Sequence, residues 1–410
     1  MSRAAGVRPR VALYSHDTMG LGHMRRNFLI AHAIAREPIG AVVLLIAGAR
    51  RATAFSLPPG ADCLTLPSLH KEKDSRYRPR RLRIELEELI AVRSAAIRAA
   101  VSSFEPDLFI VDNVPRGAVR ELDPTLEEFR WNGRTRFVLG LRDVLDDPAA
   151  VSRDWTRADN ESAIRDFYDA IWVYGDQKVY DLVDEYRFPA DIAAKVRYTG
   201  YLDQTARFEF CGKSQPLGRL RLPEGRLAVC VVGGGQDGAD LARAFAAAEL
   251  PPSFNGVIVT GPFMDEELQH ELRELAAEQP RLRVIDFVRE PMQLLEHADR
   301  VVSMGGYNAT CEALSLGKRT LIVPRVTPRT EQWIRATQLQ KLGLVDVLHP
   351  SAVSASALSA WLSSNGGPPP RARDRIDLNG LVRIQELVAE LLDTPLPTHR
   401  AVREGVRIAR

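Results

Sequence analysis

The sequence predicts an α/β protein built of two doubly wound domains that face each other across a cleft. Three observations carry this. The chain has 410 residues, more than one hydrophobic core organises, so two domains are expected. Short apolar runs of strand length alternate with amphipathic stretches throughout, the pattern of βα units on a parallel sheet. That alternation stops once, in a mixed stretch holding Gly212, Pro216, Gly218, Pro223 and Gly225, and then starts again, so this stretch reads as a linker.

In the first series the strand candidates are Val11–Ser15, Ala41–Ala47, Asp62–Leu66, Asp107–Asp112, Arg136–Gly140 and Ala170–Tyr174. Helices are expected at Gly22–Arg36, Leu82–Ser103 and Gln177–Tyr186. The second series offers strands at Leu227–Val232, Gly256–Thr260, Leu282–Asp286, Arg300–Ser303, Thr320–Val323 and Val345–Leu348. Its helices fall at Ala239–Ala248, Asp265–Glu278, Met292–Glu296, Ala309–Leu316 and Glu331–Leu342. After the Gly/Pro break at 366–370, Leu378–Leu392 is amphipathic and a basic tail follows. The expected division is 1–205, 206–377 and a C-terminal segment 378–410 whose helix packs back on the first domain.

Composition narrows the partners. Hydrophobic residues make up 45% and charged residues 26%, as in ordinary globular proteins, and a net charge of +2 does not point to nucleic acid. Four cysteines form no C-x-x-C pair, which fits a reduced, cytoplasmic setting. No apolar run reads as a signal peptide or a bilayer span. The tail from Arg400 to Arg410 carries four arginines; a disordered end explains it, and a membrane surface is the other reading. Nothing in the sequence decides between monomer and homodimer.

The chemistry is expected in loops at strand ends, where ligands of such folds bind. Between Met304 and Glu312 the chain reads M-G-G-Y-N-A-T-C-E, with a strand before it and a helix after it. Unpaired N–H groups and the helix dipole there favour an anion, and Glu312, one turn in, can reach sideways for sugar hydroxyls. Val232-Gly233-Gly234-Gly235-Gln236-Asp237-Gly238 closes the first strand of the second series and can cradle a diphosphate. Glu331 and Gln332 open a helix after Pro328; they either bond sugar hydroxyls or complement the helix dipole.

In the first half, Gly20-Leu21-Gly22-His23 follows the first strand, and Arg25 stands where a dinucleotide fingerprint needs its third glycine. His23 is either a cap or a general base, with His16 the competing base. Asp112 ends its strand and is either a turn residue or the carboxylate that orients His23. The basic stretch 70–81 reads as a solvated loop, or as one that meets an anionic acceptor. The sequence D-x-D is absent, as are a P-loop, H-E-x-x-H and G-x-S-x-G, so no metal or cofactor is expected.

These residues resemble the GT-B glycosyltransferases, above all the MurG-like enzymes and the natural-product and plant glucosyltransferases. The run Met304–Glu312 is similar to their H-C-G-W-N-S-T-x-E donor signature, Glu331-Gln332 to their acidic-Gln pair, and Gly233–Gly238 to a G-G-S-Q-G loop. Gly20–His23 is similar to T-G-G-H. The resemblance implies two Rossmann-like domains, an acceptor domain followed by a donor domain. It implies that Glu312 binds the ribose and that Gly305, Gly306, Asn308 and Thr310 surround the diphosphate, with the loop of Gly234, Gly235 and Gln236 beside them. Phe287 and Val288 would face the base, Glu331 and Gln332 the sugar. His23 would be the base and Asp112 its partner. The acceptor side would hold His16, Gly22, Arg142 and Asp143.

Met304 departs from the phosphate-binding histidine of the glucosyltransferases. Leu141-Arg142-Asp143 replaces the H-E-x-N of the MurG-like enzymes, which argues against their lipid-linked peptide sugar. Retaining relatives carry a second glutamate near this loop, so the lone Glu312 points to inversion. The implied function is an inverting, metal-independent transfer from a UDP- or dTDP-type sugar to a hydroxyl of a small-molecule or lipid-linked acceptor. A nucleotide-sugar hydrolase or 2-epimerase is the alternative, and a non-catalytic nucleotide-sugar-binding protein a third.

Overall fold

The computed structural model describes residues 8–16, 22–48, 56–71, 76–130, 133–212, 218, 220–235, 237–288, 290–365, 367 and 369–393. The first half holds β1 (Arg10–Ser15), β2 (Val42–Ala47), β3 (Ala61–Thr65), β4 (Leu69–Lys71), β5 (Tyr77–Pro79), β6 (Leu108–Asp112), β7 (Arg136–Arg142), β8 (Ala170–Tyr174) and β9 (Val196–Tyr198). The second holds β10 (Arg226–Val231), β11 (Phe254–Val259), β12 (Leu282–Ile285), β13 (Arg300–Ser303), β14 (Arg319–Ile322) and β15 (Asp346–Val347). They form a seven-stranded sheet, β3-β2-β1-β6-β7-β8-β9, and a six-stranded one, β12-β11-β10-β13-β14-β15, parallel throughout.

Strands such as Leu108–Asp112 and Ala170–Tyr174 are buried at every residue because helices cover both faces, which is why they read as unbroken apolar runs. In both sheets the strand order reverses beside the first strand, at β1/β6 and at β10/β13. Those crevices at the carboxyl edges are where such sheets hold ligands. One core cluster runs through both halves and joins Phe28 and Ile30 to Tyr201, Tyr307, Leu339 and Ile384. The C-terminal helix, Gly380–Asp393, lies against the His23 helix, Gly22–Ala35, with Gln385 Nε2 donating to Ala33 O at 2.7 Å. Among the described residues no helix is long and apolar enough to cross a membrane.

Several expected elements change. Gln177–Tyr186 shrinks to one helical turn, Leu182–Glu185, because the Asp181 side chain caps it there and accepts from the amides of Val183 and Asp184. Leu69–Lys71 and Tyr77–Pro79, expected within a loop, pair as an antiparallel hairpin. After β7 the chain makes a short turn and then a helix that the sequence reading does not include, Pro148–Ala158, started by Asp147 accepting from Ala149 and Ala150 amides. The linker contains a 3-10 helix, Gln204–Glu209, which carries a site residue.

Candidate active site

The site begins where β1 and β6 lie side by side. That pairing brings Asp112, the last residue of β6, under the first turn of the His23 helix. His23 Nδ1 lies 2.5 Å from Asp112 Oδ2. A carboxylate accepts only, so Nδ1 carries the proton and the Nε2 lone pair is left for chemistry. Arg26, one turn further on, donates from Nε (3.0 Å) and Nη2 to the other oxygen, Oδ1. Burial works to raise the Asp112 carboxyl, but Arg26 and then His23 outweigh it and hold it below the ordinary carboxylate range. The Arg26 guanidinium lies 5.4 Å over the ring of Tyr174 and 5.4 Å over that of Tyr307, so it touches both halves of the chain. His16 is buried and its ring centroid is 4.8 Å from that of His23.

Facing this pair is the Glu312 helix, Tyr307–Ser315. Gly305 turns the chain into it at φ 74°, and a Cβ there would sit 2.5 Å from Ile322 Cγ2. A Cβ on Gly306 would meet nothing within 4 Å, so the tip is open. Asn308 Nδ2 donates to Gly22 O at 3.0 Å, joining the tips of the two helices. Thr310 is buried, and its Oγ1 has no hydrogen-bond partner among the described residues. Glu312 is only 2% exposed. Its Oε1 accepts from Arg207 Nη1 at 2.6 Å, while Arg207 Nη2 reaches Glu290 Oε1 at 2.6 Å. A ribose would therefore have to share Glu312 with an arginine from the linker.

Gly234 and Gly235 turn the chain after β10. Gly235 has φ 94°, and a Cβ on it would lie 2.4 Å from Thr260 O. Gln236 lies outside the described residues, as do Gly20 and Leu21. Arg325, just past β14, gathers this side: Nη1 donates to Asp237 Oδ2 (3.0 Å) and Nη2 to Glu331 Oε1 (2.7 Å), and its backbone amide donates to Gln332 Oε1 (2.9 Å). Glu331 is buried, and its Oε2 has no partner among the described residues. Phe287, 41% exposed, and Val288 follow β12.

Asp143 departs from its expected place among the acceptor residues. It is 1% exposed. Arg335 donates to its two oxygens from Nε (2.8 Å and 3.0 Å) and to Oδ1 from Nη2 (2.7 Å), and Tyr201 and the Val144 amide donate as well. A carboxylate so saturated braces the two halves and leaves no lone pair for an acceptor. Arg335 Nη1 also donates to Gly305 O at 3.2 Å, which ties the brace to the turn before the Glu312 helix. Asp146 adds a second tie by accepting from Thr330 N at 2.8 Å, in front of the helix Glu331–Lys341. Arg142, by contrast, stays at the cleft edge of β7.

The arginines 26, 207, 325 and 335 escaped the sequence reading. Arg335 had a signal, since it lies between Glu331 and Leu339 on one helical stripe that is otherwise buried. Arg207 had none, because a linker segment shows no periodicity.

Comparison with known proteins bears on the fold. Residues 228–364 match the Glycosyltransferase family 28 C-terminal domain. The glycotransferase of kitacinnamycin superposes with a TM-score of 0.59 at 18% identity, over 95% of this chain and 100% of that one. MurG of Acinetobacter baumannii gives 0.55 at 14%, over 93% and 99%. A putative UDP-N-acetylglucosamine 2-epimerase from Listeria monocytogenes gives 0.60 at 14%, over 95% and 98%. No curated protein matches the chain by sequence. The fold is thus GT-B, two Rossmann-like domains, and the second half carries a glycosyltransferase family 28-type C-terminal domain.

Proposed function

We propose that the chain is an inverting, metal-independent glycosyltransferase that takes its sugar from a UDP- or dTDP-type donor. The observation that carries this is the His23–Asp112 contact of 2.5 Å, set opposite the open tip of the Glu312 helix. His23 Nε2 takes the proton of an acceptor hydroxyl, and that oxygen attacks the anomeric carbon from the face opposite the leaving diphosphate. Asp112 holds the ring and stabilises the imidazolium as it forms. The amides of the helix tip, with Thr310 Oγ1, meet the charge growing on the diphosphate. Glu331 Oε2, a buried acceptor without a partner among the described residues, suits a sugar hydroxyl.

The test is His23→Ala with donor binding and turnover measured separately. Turnover is expected to fall by about 10²–10⁴-fold, the usual contribution of a positioned base, with UDP affinity unchanged. Turnover that survives moves the base elsewhere, with His16 the next residue to replace. Release of free sugar without acceptor, well above background and dependent on His23, would favour the hydrolase or epimerase reading.

A further inference from the structure

We infer that Arg142 receives an anionic group, a carboxylate or phosphate oxygen, that a substrate carries beside the reacting centre in addition to the donor diphosphate. The inference rests on the glycosyltransferase reading, because it takes the diphosphate to occupy the Glu312 helix tip.

The arginines that line the junction of the two halves have protein counter-ions. Arg26 has Asp112, Arg335 has Asp143, Arg325 has Glu331 and Asp237, and Arg207 has Glu312 and Glu290. The Arg142 side chain makes no hydrogen bond and no ion pair to any described residue; the residue is half-buried, and its Nε is buried without a partner. It ends β7, two residues beyond Gly140, which pairs with Asp112 on β6, so it stands at the same sheet edge as the His23–Asp112 pair. Burial works against its charge, and so do Arg335 and Arg26. Glu331 is the opposite charge that acts on it most, yet the two form no ion pair.

Glu331 and Asp143 offset burial and the two like charges from a distance, but neither contacts the guanidinium, so an anion in direct contact would add to its stability. Structural arginines acquire theirs from the protein, as the others here do. Arg142 is left for a ligand, and its planar fork fits a carboxylate or a phosphate through two parallel bonds. Its place near Glu331, on the sugar side of the cleft, leaves two sources for that anion: an acid group on the acceptor, or a uronic acid as the transferred sugar.

The test has two arms, run by calorimetry on wild type, Arg142→Gln and Arg142→Lys. The donor arm compares UDP-glucuronate with UDP-glucose. The acceptor arm compares 4-hydroxybenzoate with its methyl ester on the UDP-loaded protein. In at least one arm the anionic member should bind wild type about tenfold or more tightly than its neutral partner, the value of a charge-assisted pair. Arg142→Gln should abolish that preference and leave UDP and the neutral member unchanged, and Arg142→Lys should keep part of it. The arm that responds identifies the source. With no side-chain partner among the described residues to lose, Arg142→Gln should melt at or above the wild-type temperature. If UDP binds and neither arm prefers the anion, or if the preference survives in Arg142→Gln, the anion site is refuted while the donor reading stands. If UDP does not bind wild type, the donor reading falls and takes this one with it.

Discussion

Asp143→Ala is the most exacting test of how the two halves are held. The substitution removes an acceptor that takes three bonds from Arg335 and one each from Tyr201 and the Val144 amide. What remains is a guanidinium that is 0% exposed and keeps only the carbonyls of Gly305 (3.2 Å) and Val144 (3.5 Å). Breaking a buried pair from one side costs about 3–5 kcal/mol because the surviving charge is stranded. Arg335→Met should cost a similar amount, since it leaves the carboxylate stranded instead. The double variant Asp143→Leu/Arg335→Met strands neither charge and should lie near wild type, recovering most of the roughly 3–5 kcal/mol that a single variant loses. The assay is equilibrium unfolding in urea, followed by fluorescence and by circular dichroism so that any separate transition of one half shows itself. Single variants that each lose less than about 1 kcal/mol, with effects that simply add, would refute the brace, because a shared ion pair must show coupling.

Other expectations follow from the same contacts. Asp112→Asn should reduce turnover and also flatten the acid limb of stability. The folded-state carboxyl lies below its ordinary value, so its contribution is full above about pH 4 and is lost as pH falls through the folded value. An acid-unfolding profile of the same steepness in the variant would contradict this. Glu312→Ala should weaken UDP binding by calorimetry, whereas Arg207→Gln, which frees Glu312 from its linker partner, should not do so to the same extent; equal UDP affinity in Glu312→Ala and wild type removes the ribose assignment. Arg26→Met should lower kcat with UDP affinity kept, because Asp112 then loses the two bonds that hold its second oxygen under His23. An unchanged kcat confines Arg26 to packing.

The sheets were legible because strands covered on both faces must be apolar throughout, and Leu108–Asp112 or Ala170–Tyr174 admit little else. Helices with a weak apolar stripe were not legible. Pro148–Ala158 buries only Val151, so the start signal Asp147-Pro148 is the one local clue to it, with no apolar stripe behind it. His23, Asp112, Asn308 and Thr310 could be chosen from sequence because each lies at a strand end or a helix start, where position in the chain predicts position at the cleft. Asp143 shows the limit of that rule. It stands at a strand end like Asp112, yet its neighbour across the junction is Arg335, 192 residues away, and no local pattern announces such a pair.

The arginines explain why the junction admits so few readings from sequence and so definite a one from structure. A chain of net charge +2 shows its cations as background. Folding sorts them by counter-ion. Arg335 and Arg207 meet carboxylates across long stretches of chain, and each pair fixes one wall of the site: Arg335 the turn at Gly305, Arg207 the carboxylate of Glu312. Arg26 does the same for Asp112 and lays its face on Tyr307, so the His23–Asp112 pair and the Glu312 helix are positioned by one side chain. A diphosphate at the tip of the Glu312 helix would therefore meet, in Arg26, Arg207, Arg325 and Arg335, cations already neutralised by their partners, with Arg142 the exception. Its stabilisation must come mainly from backbone amides at the helix tip, where Met304 offers no donor. On the proposed reaction, the open Gly306 turn and Thr310 Oγ1 would then be the groups on which leaving-group departure depends most.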